Sequence, residues 1–284
     1  MEMEALEQRL AAVVGASPVR WRERAGGYST AERYSVEFDD GRRVFVKTAE
    51  AEHMARWIRR EHEVYAALQG RFIPELLGFD DDGVRPLLVL EDLSDADWGT
   101  SWPVERIALV RAALAELSGS APPPNTRPVR ETFSDLFGRW HHVAKDPEPF
   151  LSLGLRSRDW LEGRVPELLA AADAVPADGD SLVHLDVRSD NLCTVDGRAV
   201  LVDWNWLSLG APELDLAGWA CSLALEGGPQ PWELLPRSPE LAAFVAGIFA
   251  AVAGLPPPET APTVREFQAR QLVVALDWVD RELH

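Results

Sequence analysis

The chain has 284 residues, 46% of them apolar, which suits one large domain or two modest lobes around a proper core. Its 28 basic and 46 acidic residues leave a formal net charge of −18, which argues against nucleic acid or an anionic membrane as the main partner and leaves a cationic ligand open. Two cysteines, Cys193 and Cys221, make neither a disulfide framework nor a CxxC metal or redox pair, so a reducing cytoplasm is the simplest setting.

Taken in chain order, the first residues, MEMEALEQRLAAVVGA, carry acids where a secretory leader needs bases. No apolar run reaches the roughly 20 residues that span a bilayer, and a soluble, untargeted protein is expected. Leu6, Leu10, Val13 and Val14 have helical spacing within residues 4 to 14. Two alternating runs, Arg33 to Phe38 and Val44 to Lys47, flank Asp39, Asp40 and Gly41, the pattern of a hairpin. A helix is expected from about Ala51 to Leu68, then a turn at Pro74 and a buried strand over Leu87 to Leu93. From Trp102 onward the pattern is mostly helical, interrupted by proline clusters at Pro122 to Pro124 and Pro256 to Pro258.

Between Ser181 and Trp206 the helical pattern gives way to two apolar strands, SLVHLDV and NLCTV-DG-RAVLVDW. With Asp196 and Gly197 as a two-residue loop, Val195 faces Arg198, Cys193 faces Val200 and Asn191 faces Val202. Asn191 and Asp203 then emerge together at the open end, with Asp186 just upstream. Two carboxylates and an amide converging on one point form a plausible metal and phosphate site.

The spacing of His184, Asp186 and Asn191, H-x-D-x-x-x-x-N, resembles the catalytic loop of aminoglycoside phosphotransferases, choline kinases and protein kinases. Asp203 in LVDWNW matches that superfamily's magnesium-binding aspartate, and Asp215 in GAPELDLAGWA the acidic position that follows. Lys47 in VFVK resembles the lysine on the nucleotide phosphates, and Glu61 in RREHEVYAAL the glutamate that pairs with it. Gly26, Gly27 and Ser29 in AGGYST resemble the nucleotide-binding turn, while Val89 to Leu93, including Glu91, resemble the hinge that meets adenine. These elements stand in family order over most of residues 20 to 220.

The resemblance implies an α+β, bilobal protein-kinase-like fold: a small antiparallel-sheet nucleotide-binding lobe over residues 1–93 and a mostly helical lobe over 94–284 with the catalytic loop and substrate pocket. It implies an ATP- and Mg2+-dependent phosphotransferase acting on a hydroxyl of a small molecule, of aminoglycoside type or a related amine or amino-sugar acceptor. Choline, homoserine and macrolide acceptors, or a nucleotide-binding regulator without turnover, are the alternatives. A protein substrate fits less well, since no D-F-G or A-P-E element is present. In this scheme Asp186 is the base, Arg188 reaches the transferring phosphate, and Asn191 and Asp203 hold the metal.

Asn205 departs from the family pattern, which often has a second acid two residues after the metal aspartate. His184 reads as an organiser of the loop, and adjacent His141 and His142 as surface. Among eleven tryptophans, Trp204, Trp206 and Trp219 cluster near the catalytic hairpin, and most should be core. Asp190, Asp277, Asp280 and Glu282 are candidate acids for a cationic acceptor, although a solvated helix face is the simpler reading for the last three.

Overall fold

Alternation in the N-terminal third builds a sheet with two different faces. The computed structural model describes residues 2–24, 31–258 and 261–283. Helix α1 (Glu2–Val14) precedes strands β1 (Pro18–Glu23), β2 (Glu32–Phe38) and β3 (Arg43–Thr48), helix α2 (Glu52–Ala67), and strands β4 (Leu76–Asp81) and β5 (Pro86–Glu91). The five strands are antiparallel in the order β1-β2-β3-β5-β4. Because successive strand side chains point to opposite faces, Val44, Val46, Leu87 and Val89 share one face, on which Leu6 and Leu10 of α1 pack. Phe45, Lys47, Leu88 and Leu90 take the other face, toward α2. That two-fold period is what puts Lys47 into the interior of the molecule.

The C-terminal part comprises α3 (Val104–Ser118), α4 (Val129–Thr132), α5 (Arg139–Lys145), α6 (Glu148–Ser152), α7 (Arg158–Asp173), α8 (Glu213–Leu225), α9 (Pro231–Leu234), α10 (Pro239–Ala250) and α11 (Val264–Glu282). Four short strands interrupt it: β6 (Ser181–Val183), β7 (Leu192–Val195), β8 (Arg198–Leu201) and β9 (Ser208–Gly210). In α11, Leu272, Ala275, Leu276 and Val279 recur at helical spacing and are buried against α10 and α8. A second core runs from Ile58 and Leu88 on the sheet side to Leu201, Trp204 and Trp219 on the helical side, so the two parts share buried surface. The protein has the expected α+β, protein-kinase-like architecture.

Three strands went unforeseen, for local reasons. The sequence of β1, PVRWRE, is largely polar and exposed at a sheet edge, β4 carries Gly78 and two acids, and β9 has three residues. The strand expected over SLVHLDV ends at Val183, because Leu185 adopts φ +65°, outside extended geometry.

Candidate active site

The hairpin β7–β8 forms as its Asp-Gly turn dictates. Asp196 and Gly197 have φ of 49° and 67°, the doubly positive geometry of a two-residue turn, and Val195 pairs with Arg198 and Cys193 with Val200. Val202 N–H donates to the Asn191 carbonyl at 2.9 Å, carrying the register to the open end, where Asn191 and Asp203 stand side by side. Asn191 donates from Nδ2 to Asp186 Oδ2 at 2.8 Å and to the Asp186 carbonyl at 3.0 Å. Its amide is thereby oriented, with Oδ1 as the oxygen left for another partner.

The loop before it is held from beneath. Buried Asp215 accepts the main-chain N–H of His184 at 2.7 Å and of Leu185 at 2.6 Å. Burial pushes its carboxyl up to about 7 against those two bonds. The fully buried His184 receives Asp186 N–H on Nδ1 at 3.2 Å, so its Nε2 carries the proton that goes to the Val202 carbonyl at 3.1 Å. Burial lowers its pKa to about 4, which keeps the ring neutral and structural. Asp186 itself is pushed up to about 6 by burial, with Arg188 opposing.

Lys47, Glu61 and Asp203 come together from β3, α2 and the end of the hairpin. Lys47 Nζ lies 2.5 Å from Glu61 Oε1 and 3.4 Å from Asp203 Oδ1. Burial disfavours the ammonium, but the two carboxylates prevail and raise its pKa. Burial likewise pushes Glu61 up to about 7, against the pull of Lys47. For Asp203 burial is outweighed by Lys47 and by hydrogen bonds, which hold it well below the usual carboxylate range. Asn205 Nδ2 bridges Glu61 Oε1 at 2.5 Å and Asp203 Oδ1 at 2.8 Å. At the position of the family's second acid this chain therefore has a cross-link between two carboxylates, where a third acid would face both.

These groups open on a cleft of about 330 Å3 between the sheet and the hairpin, with Phe45, Leu90 and Val202 among its apolar walls. Glu91 and Leu93 line it, although the Glu91 side chain pairs with Arg198 and accepts Glu75 N–H at 3.3 Å. Arg188 pairs with Asp190 at 2.8 Å and Asp186 at 3.4 Å, with its guanidinium 5.8 Å from the Phe267 ring. Gly26, Gly27 and Ser29 lie outside the described residues. Among the described residues no group of three or more His, Cys, Asp or Glu could hold a metal ion, and the oxygen-bearing side chains of Asn191 and Asp203 line the cleft together. That sparse oxygen set suits a hard ion that keeps water and phosphate ligands.

Other candidates are drawn elsewhere. Asp277 and Asp280 pair with Arg156 at 2.9 and 2.8 Å, and Glu282 accepts Ser238 N–H at 3.1 Å. Ten residues separate Asp277 from Phe267, about 15 Å along α11. Trp204 and Trp219 are fully buried, while Trp206 packs on Phe133 at 4.5 Å. His141 pairs with Asp173 at the surface. Trp98, which sequence reasoning passed over, lines the cleft, and its one signal is an aromatic shortly after the apolar strand.

A two-part fold with this cleft defines a protein-kinase-like phosphotransferase of the kind that acts on small molecules. A family model described as "Phosphotransferase enzyme family" matches residues 20–251, and the chain belongs to that family. Comparison with curated protein sequences gives no match. Among solved structures it is similar to a choline/ethanolamine kinase family protein from Mesorhizobium loti, at 15% identity, covering 100% of this chain and 98% of that one, with TM-score 0.56. It is also similar to a macrolide 2'-phosphotransferase type I, at 18% identity, covering 98% and 96%, with TM-score 0.54. A third is an amicoumacin kinase in complex with AMP-PNP, Ca2+ and Ami, at 11% identity, covering 96% and 93%, with TM-score 0.53. Among the described residues no helix is long and apolar enough to cross a membrane.

Proposed function

We propose that the chain transfers the γ-phosphate of ATP, with Mg2+, to a hydroxyl of a small-molecule acceptor, an aminoglycoside-like or related amine-bearing compound, in a cleft between lobes 1–93 and 94–284. The observation that carries this reading is the convergence of Lys47, Glu61, Asn191 and Asp203 on one cleft from four separate chain segments, with Asp186 held against Asn191 by a hydrogen bond at 2.8 Å. The AMP-PNP and divalent ion named for the amicoumacin kinase support the nucleotide and the metal. Acidic Asp186 and Asp190 beside the hairpin, together with the net charge of −18, support an amine-bearing acceptor.

Asp186 orients the acceptor hydroxyl and takes its proton as the new P–O bond forms and ADP departs. Lys47, steadied by Glu61, meets the inner phosphates, and Arg188 offers planar donors to the group in transfer. The main chain of Glu91 and Leu93 meets adenine, because the Glu91 side chain is already engaged. Asn191 Oδ1 and Asp203 would hold Mg2+, which would supply positive charge against the phosphates when bound.

The test is Mg2+-dependent ADP release across aminoglycosides, amino sugars, choline, homoserine and macrolides, with wild type, Asp186→Ala and Asp203→Ala. Acceptor-stimulated release is expected in wild type only, with Asp186→Ala retaining nucleotide affinity and Asp203→Ala losing its Mg2+-dependent part. Nucleotide binding without stimulated release by any acceptor would instead favour a regulatory nucleotide-binding protein.

A further inference from the structure

The segment leaving β5 has a hydrogen-bond pattern that bears on which purine the cleft accepts. The Leu93 carbonyl receives two donors, Trp98 Nε1–H at 2.8 Å and Ala96 N–H at 3.0 Å. A carbonyl oxygen has two lone pairs, so both are used. Neither donor is free to swing away. Asp97 exchanges main-chain hydrogen bonds with Thr194 of β7 at 2.9 and 3.0 Å, and Arg106 clamps Asp97 at its carboxylate and carbonyl, at 3.1 and 3.0 Å. The Trp98 ring packs against the small cluster of Leu93, Cys193 and Val200.

We propose that this turn makes the cleft selective for adenine over guanine nucleotides, with Trp98 as the specificity-determining residue. The inference rests on the reading above that the main chain of Glu91 and Leu93 meets the base. Adenine offers one donor, the exocyclic N6 amine, and one acceptor, N1, which suit the Glu91 carbonyl and the Leu93 N–H. Guanine reverses both: O6 would face the Glu91 carbonyl and N1–H the Leu93 N–H. To escape that clash guanine must slide one step along the chain, so that O6 meets Leu93 N–H and N1–H and N2–H meet the Leu93 carbonyl. That oxygen is already saturated by Trp98 and Ala96. Guanine thus buries a donor with no acceptor, whereas adenine asks nothing of that oxygen.

The experiment is calorimetric titration of the full chain with the Mg2+ complexes of AMP-PNP, GMP-PNP and ITP, repeated with Trp98→Phe, which keeps an aromatic ring and removes the N–H. Wild type should prefer AMP-PNP by about five- to a hundred-fold, the range set by one unpaired buried donor. ITP, which has N1–H but lacks N2, should bind as poorly as GMP-PNP. Trp98→Phe should narrow the adenine-to-guanine ratio by about fivefold or more, chiefly through gained guanine affinity. Equal wild-type affinity for adenine and guanine nucleotides, ITP binding as well as AMP-PNP, or an unchanged ratio in Trp98→Phe overturns the selectivity while leaving the kinase reading intact. Failure of wild type to bind any of the three overturns both. The ITP comparison needs no variant, so tight ITP binding overturns the selectivity even where Trp98→Phe fails to fold.

Discussion

Asp215→Asn isolates how the loop carrying Asp186 is held, because it changes one atom of a buried group whose hydrogen bonds go to that loop's main chain. The carboxylate accepts two N–H groups, from His184 and Leu185, at 2.7 and 2.6 Å. An asparagine oxygen replaces one acceptor, but its NH2 would confront the other N–H, leaving a buried donor unpaired at about 1–3 kcal/mol. The same two bonds hold Leu185 at φ +65°, a conformation that costs a non-glycine residue about 1–3 kcal/mol and relaxes when its restraint weakens. A local loss of about 1–2 kcal/mol multiplies the open population by about 5–30. Hydrogen exchange over residues 182–187 should quicken by that factor. Turnover should fall about a hundredfold if Asp186 shifts by ~1 Å, while nucleotide affinity, which the proposed function assigns to Lys47 and Asp203, persists. Wild-type protection and turnover in Asp215→Asn would refute this account of the loop.

Two further outcomes follow from the geometry. With Asp186 as the proposed base, raised to about 6 by burial, the carboxyl must be ionised to accept a proton, so kcat/KM should fall as pH drops below about 6 and level off above it. A profile flat through that region assigns the base elsewhere. Gly254→Ala should lower stability by about 1–3 kcal/mol, seen as a reduced midpoint in chemical denaturation, since overpacking forces main-chain movement. A Cβ at Gly254 would stand 1.7 Å from the Pro149 carbonyl oxygen, and an unchanged midpoint means that the segment around α6 yields freely.

Much of the local structure could be read from adjacent residues alone. The Asp-Gly turn sets the register of β7–β8, because its doubly positive φ pair closes a two-residue loop with a twist that matches the strands, and that register brings Asn191 beside Asp203. The two-fold period of β3 and β5 separates the face under α1 from the face of Lys47. The helical spacing in α1, and the alternation in β2 and β3, likewise depend on neighbours a few positions apart.

What the tertiary structure decided lies between segments. Whether Asn205 would weaken a metal site or serve another purpose depends on where Glu61 of α2 comes to rest, and packing brings the two within 2.5 Å. Asp215 was recognisable as an acid in the right place, but its grip on His184 and Leu185 arises only when α8 packs under the loop. Asp277 and Asp280 look like free acids in sequence until Arg156, over a hundred residues earlier, claims them. The indole of Trp98 meets the Leu93 carbonyl only because Asp97 is fastened to β7. The sequence by itself determines periodicity, turns and motif spacing, since these follow from steric limits on adjacent backbone units; the partner each polar group finds is decided when elements distant in sequence are packed at close range and every buried donor and acceptor must be matched.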